Sequence, residues 1–519
     1  MGKNLEQALS ADDLFAKLQT LRLLGVDSST LYARSRQRQH QLYAFQQAAQ
    51  SDRPIILLTE PNPLEFLAGL IAALSTESIV ILGNPAWRDR EWQQVFRQVQ
   101  PDLIWGTLSS PIPSQPFSHP QTPSGLASNA LEPNWILIPT GGSSGIIRFS
   151  IHTIDTLTAA VHGFQDYFQV EQIHSFCVLP LCHVSGLMQF WRSFLTGGKL
   201  AIYSYSELFT TLAIECSAET ASGVAEKNMA RSNHQFASLH QQLLHDIPQN
   251  DPFFLSLVPT QLQRLMAKAS GCHWLKLFST IFLGGAPSWL ELLKTARSHH
   301  LRIAPTYGMT ETAGQVATLK PDDFLKGKPG CGQVLPHAAI DFQDQKIAIR
   351  SNALMLGYFP KKEYGRKPIE QFLTDDCGYF DDQGSLHITG RSSQKIITGG
   401  ENVFPIEVET AVRLTKLVAD ICVIGMPDQT WGEAIVAVYV PISPQITVAD
   451  LKSAIAPLLS RFKQPKHWIC LDHIPRNAQG KVNYAQLKQF LECSQTQTPP
   501  PLQTAPLADV EPEKQLNWQ

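Results

Sequence analysis

The sequence lacks the charge imbalance that would point to a polyanionic partner. Its 42 lysines and arginines against 45 aspartates and glutamates give a net charge of −3 over 519 residues. Binding to nucleic acid or to an anionic membrane depends on clustered positive charge, and this composition gives no reason to expect it. We therefore expect small molecules rather than nucleic acids as partners.

Paired cysteines and long apolar runs are missing as well. The nine cysteines show no C-x-x-C spacing, which favours reduced thiols over a disulfide framework. The first residues, MGKNLE, lack the apolar core of a signal peptide. The most apolar stretch, residues 66–82, is interrupted by the polar residues 75–78, so it predicts a helix followed by a buried strand rather than a membrane span. We expect a cytoplasmic protein with no stable membrane insertion.

The spacing of the apolar residues predicts an α/β fold. Strands and helices alternate along the first 300 residues, which is typical of parallel sheets. From Asp341 onward, short strands and tight turns predict a β-rich subdomain. Residues 392–492 predict a small α+β domain, in which a helix over 448–462 buries an apolar stripe that includes Leu451, Ile455 and Leu458.

These patterns divide the chain into three parts. Residues 1–391 form a predicted N-terminal domain, within which the polar residues 215–250 have the composition of an insertion. Residues 392–492 form the C-terminal domain. Residues 493–519, which are rich in proline and polar side chains, are predicted to be a disordered tail.

A glycine-rich stretch at residues 139–148, PTGGSSGIIR, is the strongest local signal. Glycines let the backbone turn sharply and bring N–H groups close to a ligand. Hydroxyl groups add donors and Arg148 adds positive charge, so the stretch is suited to holding a polyphosphate. It is not a P-loop, because no Lys-Ser/Thr pair follows the last glycine. A plain Gly/Ser turn between two strands is the alternative.

Four short motifs follow in order: TYGMTET at 306–312, Gly390-Arg391, GGEN at 399–402, and Gly480-Lys481. Together with the glycine-rich stretch they resemble the adenylate-forming acyl-CoA synthetase superfamily, over roughly residues 50–492. The family's phosphate loop has lysine where Arg148 stands and proline where Ile147 stands. Asp375 occupies a position where the family often has glycine.

The resemblance implies an acid activated with ATP and Mg²⁺ and then transferred to coenzyme A. It places the β- and γ-phosphates against Thr140, Gly142, Ser143, Ser144, Gly145 and Arg148. It places the adenosine against Gly284, Gly285, Tyr307, Gly308, Asp376 and Arg391, with Tyr307 stacked on the adenine and Asp376 on the ribose. The implied catalytic residues are Thr310 at the α-phosphate or acyl oxygen, Glu311 at the Mg²⁺, and Lys481 between the carboxylate and the α-phosphate.

The resemblance also implies an acid pocket and a moving domain. The pocket residues would be His183, Arg192, Ser256 and Gly285. Coenzyme A would pass Gly399 and Gly400, and Ser393 would be the hinge, where relatives commonly have Asp or Lys. From the residues alone, a loop histidine bonded to backbone is the favoured interpretation of His183. Arg192 is equally consistent with a surface arginine or an ion-pair partner. The Gly284-Gly285 pair is equally consistent with a tight turn that binds nothing.

Three stretches resemble one branch of the superfamily, the 2-succinylbenzoate–CoA ligases of menaquinone and phylloquinone biosynthesis. They are FLSLVPTQL at 254–262, LCHVSGL at 181–187 and GMTET at 308–312. Two alternatives stay open: another acyl- or aryl-CoA synthetase, and a binding homologue that has lost activity. The sequence also leaves open whether the chain is a monomer or a homo-oligomer.

Overall fold

A computed structural model describes residues 9–25, 27–49, 53–108, 132–140, 147–218, 251–360, 369–398, 401–428, 430–476 and 481–495. The strands in these residues form four sheets. No helix among them is long and apolar enough to cross a membrane.

The first sheet has six strands and carries the predicted phosphate loop at one side. In spatial order the strands are Gly357–Phe359, Arg148–His152, Ile136–Thr140, Ile79–Leu82, Ile55–Thr59 and Leu103–Gly106. The last four run parallel to one another, whereas the first two are antiparallel to their neighbours. Thr140 lies opposite Arg148, so residues 141–147 connect two adjacent antiparallel strands. The sheet is therefore mixed rather than purely parallel.

The second sheet has eight strands. In spatial order they are Arg22–Leu23, Lys199–Ile202, His174–Cys177, Phe253–Leu257, Thr280–Leu283, Ile303–Met309, Gly314–Thr318 and Gln333–Val334. The first six are parallel and the last two are antiparallel. The strands Phe253–Leu257 and Thr280–Leu283 end at the same edge, which brings the segments that follow them together.

The third and fourth sheets are small. The third has the strands Ala338–Gln343, Lys346–Ser351, Phe372–Phe380 and Leu386–Arg391, all antiparallel. The fourth has the strands Glu401–Val403, Ile396–Thr398, Gly432–Pro441, Val418–Asp428 and His467–Cys470. The chain passes from the third sheet to the fourth through a 3₁₀ turn at Ser392–Gln394.

The helices cover the sheets. In chain order they are Ala11–Thr20, Ser28–Ala49, Pro63–Ser75, Asp89–Gln98, Ile154–Phe168, Val184–Thr196, Tyr205–Ala218, Pro259–Met266, Ala269–Leu275, Leu290–Ser298, Pro321–Leu325, Pro405–Leu414, Val448–Ile455 and Tyr484–Gln495. Helix Pro63–Ser75 is buried from Phe66 onward and belongs to a large apolar cluster that it shares with helix Val184–Thr196.

The helix and the buried strand predicted within residues 66–82 are confirmed: the helix is Pro63–Ser75 and the strand is Ile79–Leu82. The helix predicted over 448–462 is wrong in its length. It ends at Ile455, and Leu458 is 46% exposed, because the helical spacing that would bury it stops a turn earlier.

Candidate active site

Glu311 joins three distant segments of the chain. It lies in a 3₁₀ turn, Thr310–Thr312, between the strands Ile303–Met309 and Gly314–Thr318, and is only 7% exposed. Its Oε1 accepts hydrogen bonds from Thr140 Oγ1 at 3.0 Å and from the Tyr358 hydroxyl at 2.7 Å. The guanidinium of Arg148 lies 4.7 Å from the centre of the Tyr358 ring. The carboxylate is thus held beside both ends of the predicted phosphate loop.

His152 contacts the backbone of the Thr310–Thr312 turn. Its Nε2 lies 2.8 Å from the carbonyl oxygen of Thr310 and its Nδ1 lies 3.0 Å from Thr156 Oγ1. Full burial lowers the pKa of His152 to about 4, although the Thr310 carbonyl opposes this shift. The neutral ring therefore donates a hydrogen bond from Nε2 to the Thr310 carbonyl, which fixes the orientation of the turn.

Asp376 and Arg391 form a second polar group, as the sequence predicts. They lie opposite each other on adjacent strands, and Arg391 Nε donates to Asp376 Oδ1 at 3.0 Å. Asp376 Oδ2 accepts from the Tyr307 hydroxyl at 2.9 Å. Tyr307 is 8% exposed and packs in an apolar cluster, which raises the pKa of its hydroxyl well above the usual value. The tyrosine thus holds the carboxylate that is predicted to receive the ribose.

The Gly284-Gly285 turn follows strand Thr280–Leu283. The N–H of Gly284 donates to the carbonyl of Leu257 at 3.3 Å, so this donor is used within the sheet. Gly285 has a φ of +77°, which favours glycine, and a β-carbon there would meet Val258 at an ordinary contact distance of 3.4 Å. Ser256 lies on the neighbouring strand, opposite Phe282.

Gly308 is required by a close approach of two chain segments. A β-carbon on Gly308 would lie 2.0 Å from the carbonyl oxygen of Gly314. The strand register shifts between Tyr307 and Gly308, just before the Glu311 turn. Glycine at this position therefore shapes the backbone that presents Thr310 and Glu311.

Lys481 reaches this group from the other end of the chain. Its side chain is accessible to solvent, but it lies in a cleft where surrounding protein lowers its pKa. Arg391 lowers the pKa further, while Glu311 and Asp376 oppose the shift. The predicted lysine thus lies within electrostatic range of the residues predicted to bind magnesium and ribose.

His183 is the N-cap residue of helix Val184–Thr196. Burial lowers the pKa of His183 to about 4, and the positive charge of Lys481 contributes to the shift. The side chain is therefore neutral near pH 7. Its proximity to Lys481 is consistent with the predicted place in the acid pocket.

Arg192 is neither a surface residue nor, among the described residues, an ion-pair partner. It is 6% exposed, and burial lowers its pKa to about 9. Its Nη2 donates to Gln315 Oε1 at 2.6 Å, and its guanidinium lies 4.2 Å from the centre of the Phe164 ring. The buried Nε has no hydrogen-bond partner in the described part of the chain. A buried cation with only an amide partner is poorly compensated.

His337 lies against the same buried group. Burial lowers the pKa of its imidazole to about 4, and Arg192 contributes to the shift. The main chain of Gln315 opposes the shift, but its contact falls short of hydrogen-bond geometry, so neither buried ring nitrogen is satisfied by a described residue. A β-carbon on Gly163 would overlap the ring, so the glycine makes room for it.

Ser393 lies at the crossing between the third and fourth sheets. Its N–H donates to Asp375 Oδ1 at 3.0 Å and its hydroxyl donates to Asp375 Oδ2. Asp375 and Ser393 both depart from the pattern of the superfamily, and the structure shows that they are partners.

The predicted phosphate and coenzyme A residues Gly142, Ser143, Ser144, Gly145, Gly399 and Gly400 lie outside the described residues.

Four residues of the site were not predicted from the sequence: His152, Gln315, His337 and Tyr358. Gln315 lies four residues after Glu311, and this short spacing is a signal that could have been used. The other three belong to segments without a recognisable motif. They reach the site only because the sheets place residues 152, 337 and 358 beside residues 310–315.

Family models match two parts of the chain. The AMP-binding enzyme model matches residues 221–359, and the model of the AMP-binding enzyme C-terminal domain matches residues 407–481. These two parts of the chain are similar to AMP-binding enzymes. The second match contains Lys481, and the first contains the Glu311 turn.

Curated 2-succinylbenzoate–CoA ligases are also similar to this chain. That of Bacillus licheniformis is 28% identical over 66% of this chain and 66% of its own length. That of Geobacillus sp. is 32% identical over 46% of this chain and 51% of its own length. The matched region thus spans between about half and two thirds of these relatives.

Solved structures of the same group have the same fold. The o-succinylbenzoate CoA synthetase from Bacillus subtilis in complex with the acyl-adenylate intermediate OSB-AMP has a TM-score of 0.69 at 22% identity, over 92% of this chain and 97% of that chain. Its complex with ATP and magnesium ion has a TM-score of 0.68, again at 22% identity, over 92% of this chain and 98% of that chain. The predicted acyl-adenylate synthetase fold is confirmed.

Proposed function

We propose that the chain ligates 2-succinylbenzoate to coenzyme A through an acyl-adenylate, releasing AMP and diphosphate, in menaquinone or phylloquinone biosynthesis. The observation that carries the proposal is the convergence of Lys481 with Glu311, Asp376 and Arg391 in one cleft. The names of its curated relatives support the choice of acid.

The proposed chemistry begins with an attack of the carboxylate on the α-phosphorus of ATP. Lys481 lies close enough to the acidic group to neutralise charge on the carboxylate and the α-phosphate, and Thr310 would donate to the same oxygens. Glu311 would bind Mg²⁺, which usually takes one or two carboxylates together with phosphate oxygens and water. Its hydroxyl partners, Thr140 and Tyr358, fit this role because they orient the carboxylate without neutralising it.

We propose that Arg192 and His337 receive the second carboxylate of the acid. An anion beside Arg192 would compensate a buried cation, and it would accept from the unsatisfied Nε and from the imidazole. This arrangement selects acids that carry a second negative charge away from the reacting carboxyl group. His183, Ser256 and Gly285 would line the path between the two ends of the acid.

The thiol of coenzyme A then displaces AMP from the acyl carbon. We propose the division of the chain at residues 391 and 392, with Ser393 as hinge and Gly399-Gly400 beside the thiol. The cytoplasm, which contains ATP and coenzyme A, fits this activity. We propose no role for the predicted insertion at 215–250 or for the predicted tail at 493–519. Residues 219–250 of the insertion lie outside the described part of the chain.

The experiment is an assay of purified protein with ATP, Mg²⁺, coenzyme A and a panel of carboxylates. We expect formation of AMP and o-succinylbenzoyl-CoA, with 2-succinylbenzoate preferred over acids that lack the second carboxylate. Preference for a monocarboxylate would favour another acyl- or aryl-CoA synthetase. Absence of ATP–diphosphate exchange with every acid would favour a binding homologue.

A further inference from the structure

One aromatic contact links the C-terminal part of the chain to the part that precedes residue 391. The guanidinium of Arg413, in helix Pro405–Leu414, lies 5.1 Å from the centre of the Trp289 ring. Trp289 is the N-cap residue of helix Leu290–Ser298 and follows Gly285 by four residues. The tryptophan thus ends the loop that borders the proposed adenine site. A guanidinium over an indole face is an attractive pair.

Arg413 is also held by two hydrogen bonds within the C-terminal part of the chain. Its Nη2 donates to Asp420 Oδ1 at 2.9 Å and to the carbonyl of Ile421 at 3.1 Å. Because these two acceptors hold the guanidinium, its position over Trp289 reports the position of strand Val418–Asp428. The contact therefore couples two rigid elements and not two free side chains.

Asp420 also forms an ion pair with a second arginine, Arg476. Both of its carboxylate oxygens accept from Arg476 Nη2, at 2.9 and 2.8 Å, and Oδ2 also accepts from Nε at 3.3 Å. Such forked pairing fixes the orientation of the guanidinium as well as its distance. Arg413 and Arg476 thus share one carboxylate.

Arg476 lies at the base of the segment that presents Lys481. It forms an antiparallel bridge with Val482, the residue next to the lysine. The contacts therefore run without a break from Trp289, beside the proposed nucleotide site, through Arg413, Asp420 and Arg476 to the backbone at Lys481.

We propose that four residues, Trp289, Arg413, Asp420 and Arg476, are positioning residues for adenylation. They hold the backbone at Lys481 in place relative to the loop that ends at Trp289 and borders the proposed adenine site. The proposal rests on the proposed function, because it assigns the lysine a role at the α-phosphate. Displacement of AMP by a thiol does not need an amine at that phosphate. Loss of the Trp289 contact should therefore affect the first half-reaction more than the second. Comparing the two half-reactions measures the coupling along these contacts.

The central variant is Trp289→Leu, which removes the aromatic face but leaves the arginine–aspartate contacts of the C-terminal part. We expect ATP–diphosphate exchange with 2-succinylbenzoate to fall about tenfold or more, while thioester formation from supplied o-succinylbenzoyl-AMP changes less than about twofold. Trp289→Phe keeps an aromatic face and should restore most of the exchange. Arg413→Gln gives the same test from the other partner if Trp289→Leu does not fold.

Arg297 provides a matched control. Its guanidinium lies 4.5 Å from the centre of the Phe324 ring, but both residues precede residue 391. Arg297→Gln should leave the ratio of the two half-reaction rates unchanged. The double variant Trp289→Leu with Arg413→Gln should lose little more exchange than the worse single variant, because both remove the same contact.

Three results would overturn the proposal. They are unchanged exchange in folded Trp289→Leu, equal losses in both half-reactions, and the same selective loss in Arg297→Gln. Absence of exchange in the wild-type protein would overturn the proposed function and this inference with it. A wild-type protein that exchanges diphosphate while Trp289→Leu behaves identically would overturn this inference alone.

Discussion

At the scale of single residues, the buried arginine is the part of the site that bears most directly on substrate choice. Arg192 is enclosed by Phe164, Gln315 and His337 and has no carboxylate partner among the described residues. Removing its charge should leave the ATP site intact, because its partners Gln315 and Phe164 are not among the residues proposed to bind nucleotide.

We expect Arg192→Ala to raise the KM for 2-succinylbenzoate about 10- to 100-fold, which corresponds to the loss of a charged hydrogen bond. The KM for ATP should stay within about twofold. Steady-state kinetics with each substrate varied in turn will measure both. Arg90→Ala, in the first turn of the outer helix Asp89–Gln98, replaces an exposed arginine and is a surface control. Unchanged kinetics for the acid would remove Arg192 from the pocket.

His152 gives a prediction about pH. Its folded pKa of about 4 lies below the ordinary value of 6.5, so between these values the unfolded chain binds more protons. Its contribution to stability is therefore complete above about pH 6.5 and is lost as the pH falls toward 4. From pH 7.5 to 5.0 the loss should be about 2 kcal/mol.

The check is the free energy of unfolding at both pH values, measured with denaturant. His152→Gln, which does not titrate, should lose about 2 kcal/mol less than the wild type between pH 7.5 and 5.0. His40→Gln replaces an exposed histidine on helix Ser28–Ala49 and should behave as the wild type. An identical pH dependence in the wild type and His152→Gln would contradict the assignment of a neutral ring.

At the scale of elements, the turn Ser392–Gln394 is held by the carboxylate of Asp375. One or two exposed hydrogen bonds stabilise a turn only modestly. We expect Asp375→Ala to speed tryptic cleavage at Arg391 or Lys395 about 2- to 10-fold in the native protein, since local opening becomes easier.

Asp382→Ala is the matched control, because it replaces an exposed aspartate on the connection that follows strand Phe372–Phe380. Limited proteolysis followed by mass spectrometry will locate the cuts. Equal acceleration in both variants, or none in Asp375→Ala, would show that the carboxylate does not hold the turn.

The elements also show what the sequence could predict. Helix Ile154–Phe168 has a capping threonine and a regular apolar face, so local signals suffice. The antiparallel pairing of strand Arg148–His152 could not be predicted, because pairing depends on which strands become neighbours. The exposure of Leu458 was missed for a related reason: periodicity does not show where a helix unwinds.

At the scale of the whole molecule, the proposed reaction needs two ends of the chain in one cleft. Lys481→Ala should abolish most ATP-dependent adenylation, yet still convert supplied o-succinylbenzoyl-AMP and coenzyme A to the thioester at near the wild-type rate. Lys488→Ala, on helix Tyr484–Gln495, removes an exposed lysine and should affect neither step. Equal losses in both steps, in a folded Lys481→Ala protein, would contradict the assignment of the lysine to the first step only.

The motif residues of the site could be predicted, but their partners could not. Glu311, Asp376, Arg391 and Lys481 stand in short, ordered motifs. Tyr358 and His337 stand in none, and they meet the motifs only through the packing of sheets that are distant in sequence. Predicting them requires the tertiary fold.

The edge strand Gly357–Phe359 has a consequence for the synthesis of the protein. It pairs with Arg148–His152, so the first sheet is completed by a segment made about 200 residues later. At ribosomal speed that interval lasts roughly 10 to 40 s. During this time the nascent chain presents the unpaired N–H and C=O groups of Arg148–His152 to other chains. Translation past Phe359, rather than past the phosphate loop, is therefore the point at which the newborn protein is protected from aggregation at this edge.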